Sequence, residues 1–387
     1  MANRKFKADQ FFNGYGMLSN DHVLITDEKG RVEDIVKVNE AGDDVQELNG
    51  ILSPGLINCH CHLELSHMKG FIPESSGLVK FVLDVVQQRH FPEEEILVAI
   101  EKAEDEMLRN GIIAVGDICN NTLTLPQKNK GRIYYHNFIE CSGYHPSVAE
   151  PRFERSREFF NTYAQHYSIP VESNSITPHA PYSVSDNLWE KIIHFPGNHL
   201  FTIHNQETAE ENEWFVNKKG GFGELYNKMN IDTSFYQPAG RNSLQTYLSK
   251  FLANQQVILV HNVHTGEEDL VYSASFDKLN LFWCLCINAN NYITGHRPPV
   301  ELLMKHGCEI VLGTDSLASN YQLSILEEIN TIHKTFPDIR IDELLRWATS
   351  NGSRALQMDQ MLGSFEKGKQ PAVLNIDADL KWVKRLV

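Results

Sequence analysis

Ile51-Leu52-Ser53-Pro54-Gly55-Leu56-Ile57-Asn58-Cys59-His60-Cys61-His62-Leu63-Glu64 opens the long middle of the chain. Residues 51–59 are an apolar run of strand length, and the run ends in polar groups. In extended backbone successive side chains alternate, so His60 and His62 point to the same side. Two imidazoles so placed can chelate a metal. A bare His-x-His is equally well two surface histidines, so its meaning depends on the rest of the chain.

Seven further runs of strand length follow, at residues 112–118, 133–141, 173–177, 200–204, 257–261, 281–287 and 309–314. Segments of helical period lie between them, among them 79–88, 93–109, 186–194, 209–219, 244–253 and 298–306. Ala99, Ala103, Met107 and Leu108 form one such stripe. Eight strands alternating with helices predict an α/β fold, a (β/α)8 TIM barrel. The flanks differ. Residues 23–26 and 32–38 bracket the turn-rich Asp27-Glu28-Lys29-Gly30-Arg31, which is hairpin chemistry. The end of the chain is alike: Gly363-Ser364-Phe365, the turn Gly368-Lys369-Gln370-Pro371, then an apolar run at 372–376. The expected organisation is a small β domain made of residues 1–50 and 363–387, and a barrel over 51–362. Residues 220–242 are a polar, aromatic-bearing loop, longer than a connector requires and expected to be a binding lid.

The length of 387 residues suits a barrel of ~250 residues with a smaller partner. A net charge of −15 repels polyanions and excludes nucleic acid and anionic membranes as partners. Lys218-Lys219 and Lys384-Arg385 read as solvated faces. The seven cysteines are an odd number, and the Cys-x-Cys spacings at Cys59/Cys61 and Cys284/Cys286 match no structural zinc pattern. Free thiols in a reducing compartment follow. No secretory signal precedes the fold and no apolar stretch is long enough to span a membrane. A cytoplasmic protein is expected by elimination, and a homodimer is compatible.

In a barrel of this kind function sits at the C-terminal strand ends. The fifth strand ends at His204, a third imidazole, and Glu207 follows within reach of a proton shuttle. The sixth ends at His261, followed by His264. The eighth ends at Asp315, a carboxylate closing an apolar strand, which needs a partner such as a divalent metal.

Pro-Gly-Leu-Ile-Asn-x-His-x-His at 54–62, His204-x-x-Glu207, the strand-end His261 and Gly313-Thr314-Asp315-Ser316-x-x-Ser319-Asn320 together resemble the amidohydrolase superfamily. The branch they resemble holds S-adenosylhomocysteine deaminase, guanine deaminase and the triazine chlorohydrolases. The resemblance spans nearly the whole chain. It implies one divalent metal, zinc or alternatively iron, held by His60, His62, His204 and Asp315. It implies that Glu207 moves protons, that His261 orients the attacking water, and that Asp315 can also accept a proton. Two-metal members of the superfamily carry a lysine at the end of strand four. The stretch from Ser173 to Ser183 has none, so a mononuclear site is expected.

His62-Leu63-Glu64-Leu65-Ser66 is similar to a segment of the aminodeoxyfutalosine deaminases, though Leu65 and Ser316 depart from that group and residues 282–291 are aberrant. The implied reaction is deamination of an aminated purine nucleoside or related heterocycle by metal-activated water, with a small molecule as partner. His179, Glu64 and Ser319 are expected substrate contacts, Glu64 alternatively being a brace for the metal loop. Arg241 is expected to face solvent. Two other readings stay open: a hydrolase of the same branch that displaces chloride or an alkylamine, and a non-catalytic metal-binding barrel.

Overall fold

The computed structural model describes residues 3–166 and 173–387. Five strands come first: β1 (Arg4–Phe12), β2 (Met17–Leu18), β3 (His22–Thr26), β4 (Val32–Lys37) and β5 (Val45–Ser53). Eight more form the barrel: β6 (Leu56–Cys61), β7 (Ile112–Cys119), β8 (Tyr134–Cys141), β9 (Asn174–Pro178), β10 (Leu200–Asn205), β11 (Gln256–His261), β12 (Asn280–Leu285) and β13 (Glu309–Leu312). The chain ends in β14 (Leu374–Ile376) and β15 (Val383–Arg385).

The eight barrel strands run parallel in two arcs, β6-β7-β8-β9 and β10-β11-β12-β13. Two seams join the arcs. At one, His204 N donates to His179 O (3.0 Å), and the Asn198 amide brackets Ile176, donating to its carbonyl at 2.6 Å. At the other, Thr314 N and Asp315 N both donate to His60 O, at 3.0 and 3.1 Å. Every residue of β6, β7, β10 and β11 is buried, as parallel strands covered on both faces require.

The first barrel strand is not the apolar run 51–59. Pro54-Gly55 divides that run, because proline supplies no ladder N–H. Its first part, within β5, pairs with β1 and β14. Its second part is β6, which begins at Leu56 and carries the histidines. The seventh strand stops at Leu285, and Cys286 begins the helix Ile287–Ile293. The presumed loop 220–242 contains the helix Phe222–Lys228, anchored where Tyr226 Oη donates to Tyr182 O.

Strands from both ends of the chain share one sheet, ordered β15-β14-β5-β1-β3-β4 with β2 on β1. Phe6, Phe11, Leu24, Leu52, Phe365 and Val373 fill its interior. We read this sheet as the small β unit beside the barrel. Among the described residues no helix is long and apolar enough to cross a membrane.

One buried ion pair lies under the β6 end of the barrel. Asp117, within the otherwise apolar β7, meets Lys128 Nζ at 2.5 Å, and both side chains are fully buried. Lys128 also donates to Asn137 Oδ1 (2.7 Å), and Asp117 Oδ1 accepts Leu63 N (2.8 Å). The pair thus fixes the turn immediately after His62. Removing one partner of a buried pair leaves an uncompensated charge. Lys128→Met is expected to lower unfolding stability by about 3–5 kcal/mol in urea titrations. Lys305→Ala, which breaks the exposed Lys305–Glu267 pair, is expected to leave stability nearly unchanged in the same assay.

Candidate active site

The strand ends bring the polar residues of the sequence into one cluster. His60 and His62 come from the end of β6, His204 from β10, His261 from β11, and Asp315 from the turn after β13. His60 and His62 Nε2 lie 3.6 and 3.5 Å from Asp315 Oδ1. His62 Nε2 lies 3.3 Å from His204 Nε2. The ring nitrogens of His60, His62 and His204 all fall within 4.8 Å of one another.

Backbone strain aims these groups. His261 and Asp315 adopt φ of +75° and +56°, a left-handed conformation that costs non-glycine residues about 1–2 kcal/mol each. The sharp turns swing both side chains over the barrel mouth. Asn262, at φ +60°, stabilises the first turn by donating to Leu259 O and Cys284 O at 2.8 and 3.1 Å. At the second, Ser319 Oγ donates to Asp315 Oδ2 (2.6 Å).

The donor chemistry fits a divalent cation. His60 is fully buried, yet neither of its ring nitrogens has a hydrogen-bond partner among the described residues. An orphaned buried imidazole is costly unless something absent from the chain satisfies it. His204 Nδ1 lies 2.7 Å from His179 O and donates to it, which leaves Nε2 free as a lone-pair donor. Burial lowers the pKa of His62 and, further, of His204, where the neighbouring imidazoles add to the effect. Neutral imidazoles are the form that binds metal. Burial pushes Asp315 upward, but the His60 contact and the fields of His62 and His261 outweigh it and hold the carboxyl well below its usual range. His60, His62, His204 and Asp315 can therefore hold one ion of the nitrogen-and-oxygen type that zinc or iron favours.

Glu207 and His261 stand beside this set, with Glu207 Oε1 3.6 Å from His261 Nε2. Glu207 is buried. Desolvation, then Asp315 and Glu211, raise its pKa well above that of an ordinary carboxyl. The Glu211 carboxylate accepts Gln206 N and Glu207 N, at 3.1 and 3.3 Å, and so fixes the turn that presents Glu207. Asn290 Nδ2 lies 2.9 Å from His261 Nδ1. This contact holds the ring with Nε2 facing Glu207.

The cluster floors a cavity of about 560 Å³. His179 and Glu64 line it, as the sequence led us to expect of substrate contacts. Glu64 Oε2 accepts Asn120 N (2.9 Å), so this carboxylate also ties the loop after His62 to β7. Ser319 does not line the cavity. It is fully buried and braces Asp315, while Ser316 reaches the wall instead. Arg241 is exposed and no part of the wall. Sequence reading passed over Asp117, Lys128, Glu140 and Asn290. A charge inside the apolar β7 was the signal available for Asp117.

Strand-end histidines and a carboxylate at the mouth of a (β/α)8 barrel define a metal-dependent hydrolase architecture. The family is settled by comparison: residues 51–384 match the amidohydrolase family, and the chain belongs to it. It is similar to an adenosine deaminase of Helicobacter pylori, 26% identical over 330 residues, covering 83% of this chain and 78% of that protein. It is also similar to a 5-methylthioadenosine/S-adenosylhomocysteine deaminase of Thermoanaerobacter pseudethanolicus, 24% identical over 369 residues, with 90% and 78% covered. The crystal structure of Helicobacter pylori aminofutalosine deaminase with methylthio-coformycin superposes with a TM-score of 0.82 at 23% identity, over 97% of this chain and 92% of that one.

The approach of β13 to β6 depends on a missing side chain. A Cβ at Gly313 would stand 2.9 Å from both His60 Cβ and Cys284 Sγ, and 3.0 Å from Cys286 Sγ. Gly313→Ala is expected to displace His60, cost about 1–3 kcal/mol of stability and reduce metal content. Thermal unfolding and elemental analysis of the purified variant check this; unchanged stability with full metal would contradict it.

Proposed function

We propose that this chain is a mononuclear metal-dependent deaminase of an adenine-type nucleoside that carries an anionic group on an extension from its sugar. The observation that carries the reading is the convergence of His60, His62, His204 and Asp315 beside Glu207 and His261 on the floor of one cavity. A structural metal site needs neither a buried glutamate of raised pKa nor an oriented imidazole.

The bound ion, zinc by its donor set, would supply Lewis-acid activation of water at near-neutral pH. Glu207 takes one proton of the attacking water and delivers it to the ring nitrogen, which keeps it. Its raised pKa suits a group that must be protonated in half of the cycle. His261 orients the water's oxygen as it adds to the amidine-like carbon. Asp315 accepts the second proton, from the hydroxyl of the adduct, and gives it up to the departing amine. Ammonia leaves and the ring carbonyl forms. The buried position of these groups excludes bulk water from competing for their hydrogen bonds.

The wider part of the cavity suggests the class of nucleoside. Phe81, Val82, Leu225 and Ile231 give it apolar walls, and Arg89, Arg152 and Arg155 stand around it. Among the described residues none of the three arginines forms an ion pair or a side-chain hydrogen bond. Arg155 lies over the Phe159 ring at 5.4 Å, but guanidinium groups without a carboxylate partner around one cavity, in a chain of net charge −15, favour a substrate carboxylate or phosphate. The same site could displace chloride from a triazine, but an uncharged triazine gives these arginines nothing to hold. All seven cysteines are free, which supports work in a reducing compartment, the cytoplasm.

Glu207→Gln is expected to keep its metal but to lower the rate of ammonia release from adenine nucleosides about 10²- to 10⁴-fold. The double variant Arg152→Ala/Arg155→Ala is expected to raise KM for the carboxylate-bearing S-adenosylhomocysteine about tenfold or more. KM for the uncharged 5-methylthioadenosine should move less than about twofold. Equal changes for both substrates would remove the anion from the account.

A further inference from the structure

Glu140 is a carboxylate without an assignment. It lies in β8, one residue before the strand ends, and lines the cavity. Its Oε2 is buried and has no hydrogen-bond partner among the described residues. Its backbone carbonyl is held by Ser156 Oγ at 3.2 Å, so the strand end is fixed while the carboxylate is unsatisfied. A ligand atom of Glu140 falls within 4.8 Å of those of His179 and His204.

Two occupants suit such a place: a second metal ion, or hydrogen-bond donors of the substrate. The histidines decide between them. His204 Nδ1 is committed to His179 O at 2.7 Å, and His204 Nε2 already faces His62 Nε2 at 3.3 Å. One lone pair cannot serve two ions. His179 Nδ1 is engaged with Ser183 Oγ at 2.8 Å, which leaves it only Nε2 to offer. A second ion would thus draw on Glu140 and His179 alone, too few protein donors for a closed site. A substrate donor remains.

Position indicates which donor. Glu140 borders the metal-binding floor, with a ligand atom within 4.8 Å of ring nitrogens of His204 and His179. Arg152 and Arg155 lie on the helix Ala149–His166, which follows β8, and line the same cavity. If the amine of the base reacts at the floor and the anion meets the arginines, the part between them is the sugar. Its donors are hydroxyl groups.

We propose that Glu140 is a substrate-binding residue that accepts a hydrogen bond from a hydroxyl of the sugar and so selects ribonucleosides over their deoxy forms. The proposal rests on the deaminase reading above. The test is a cycle between residue and substrate. Ammonia release from adenosine, 2′-deoxyadenosine and 3′-deoxyadenosine is measured with zinc-loaded wild type, Glu140→Ala and Glu140→Gln, and zinc content is measured in each. For at least one deoxy substrate, wild type should lose about 10- to 100-fold in kcat/KM, and Glu140→Ala less than about twofold from the same deletion. All three proteins should hold the same amount of zinc. Glu140→Gln keeps the size of the side chain and an acceptor oxygen, so it should fall between the two and serves if the alanine variant does not fold. Equal loss in wild type and variants, or indifference of the wild type to both hydroxyls, overturns the proposal, as does loss of zinc from the variants. If wild type releases ammonia from none of the nucleosides, the deaminase reading falls with it.

Discussion

Two backbone hydrogen bonds onto one carbonyl hold the centre of this molecule together. Thr314 N and Asp315 N both donate to His60 O, joining the last barrel strand to the first. The Asn58 side chain reinforces the seam, donating to Thr314 Oγ1 (2.8 Å) and accepting from Thr314 N (3.0 Å). Closing the barrel and assembling the metal-binding cluster are therefore one event. Asp315 can face His60 and His62 only when the ends of the eight-stranded array meet. Donors held by strand ends are positioned more firmly than donors held by loops, and a metal centre needs that precision.

The same economy explains the strain. His261 and Asp315 sit in left-handed conformations that an isolated chain would avoid. Both turns are held by buried side chains, Asn262 for one and Ser319 for the other. The buried Asp117–Lys128 pair likewise fixes the backbone after His62 through Leu63. Each is a structural cost at the mouth of the barrel, offset by the packing of strands buried along their length.

The barrel was legible because its strands are short apolar runs at regular intervals, several of them closed by a histidine or a carboxylate. The helix Glu93–Arg109 was legible to its last residue, its apolar stripe being uninterrupted. Boundaries failed where local chemistry overrode hydrophobicity. Ile51 and Leu52 look like the residues that follow them, yet Pro54-Gly55 assigns them to a different sheet. Residues 282–291 looked aberrant as a strand because their second half is a helix, whose Asn290 reaches His261. At the site, residues announced by strand ends were easy to find. Ser319 was misplaced, since nothing in a linear motif separates a wall residue from one that braces a ligand. Glu140 was hidden because a glutamate near a strand end is ordinary, and only the fold reveals that its oxygen has no partner. Arg152 and Arg155 went unremarked, because nothing in the sequence shows that their helix borders the cavity.

The central claim is that one metal ion, held by His60, His62, His204 and Asp315, is required for hydrolysis of a carbon–nitrogen bond. The most direct measurement is a zinc titration of chelator-stripped protein, followed by ammonia release from an adenine nucleoside. The account predicts no activity without metal, a linear rise with added zinc, and a plateau at one equivalent per chain. Full activity in the stripped protein, or a plateau reached only at two equivalents, would contradict it.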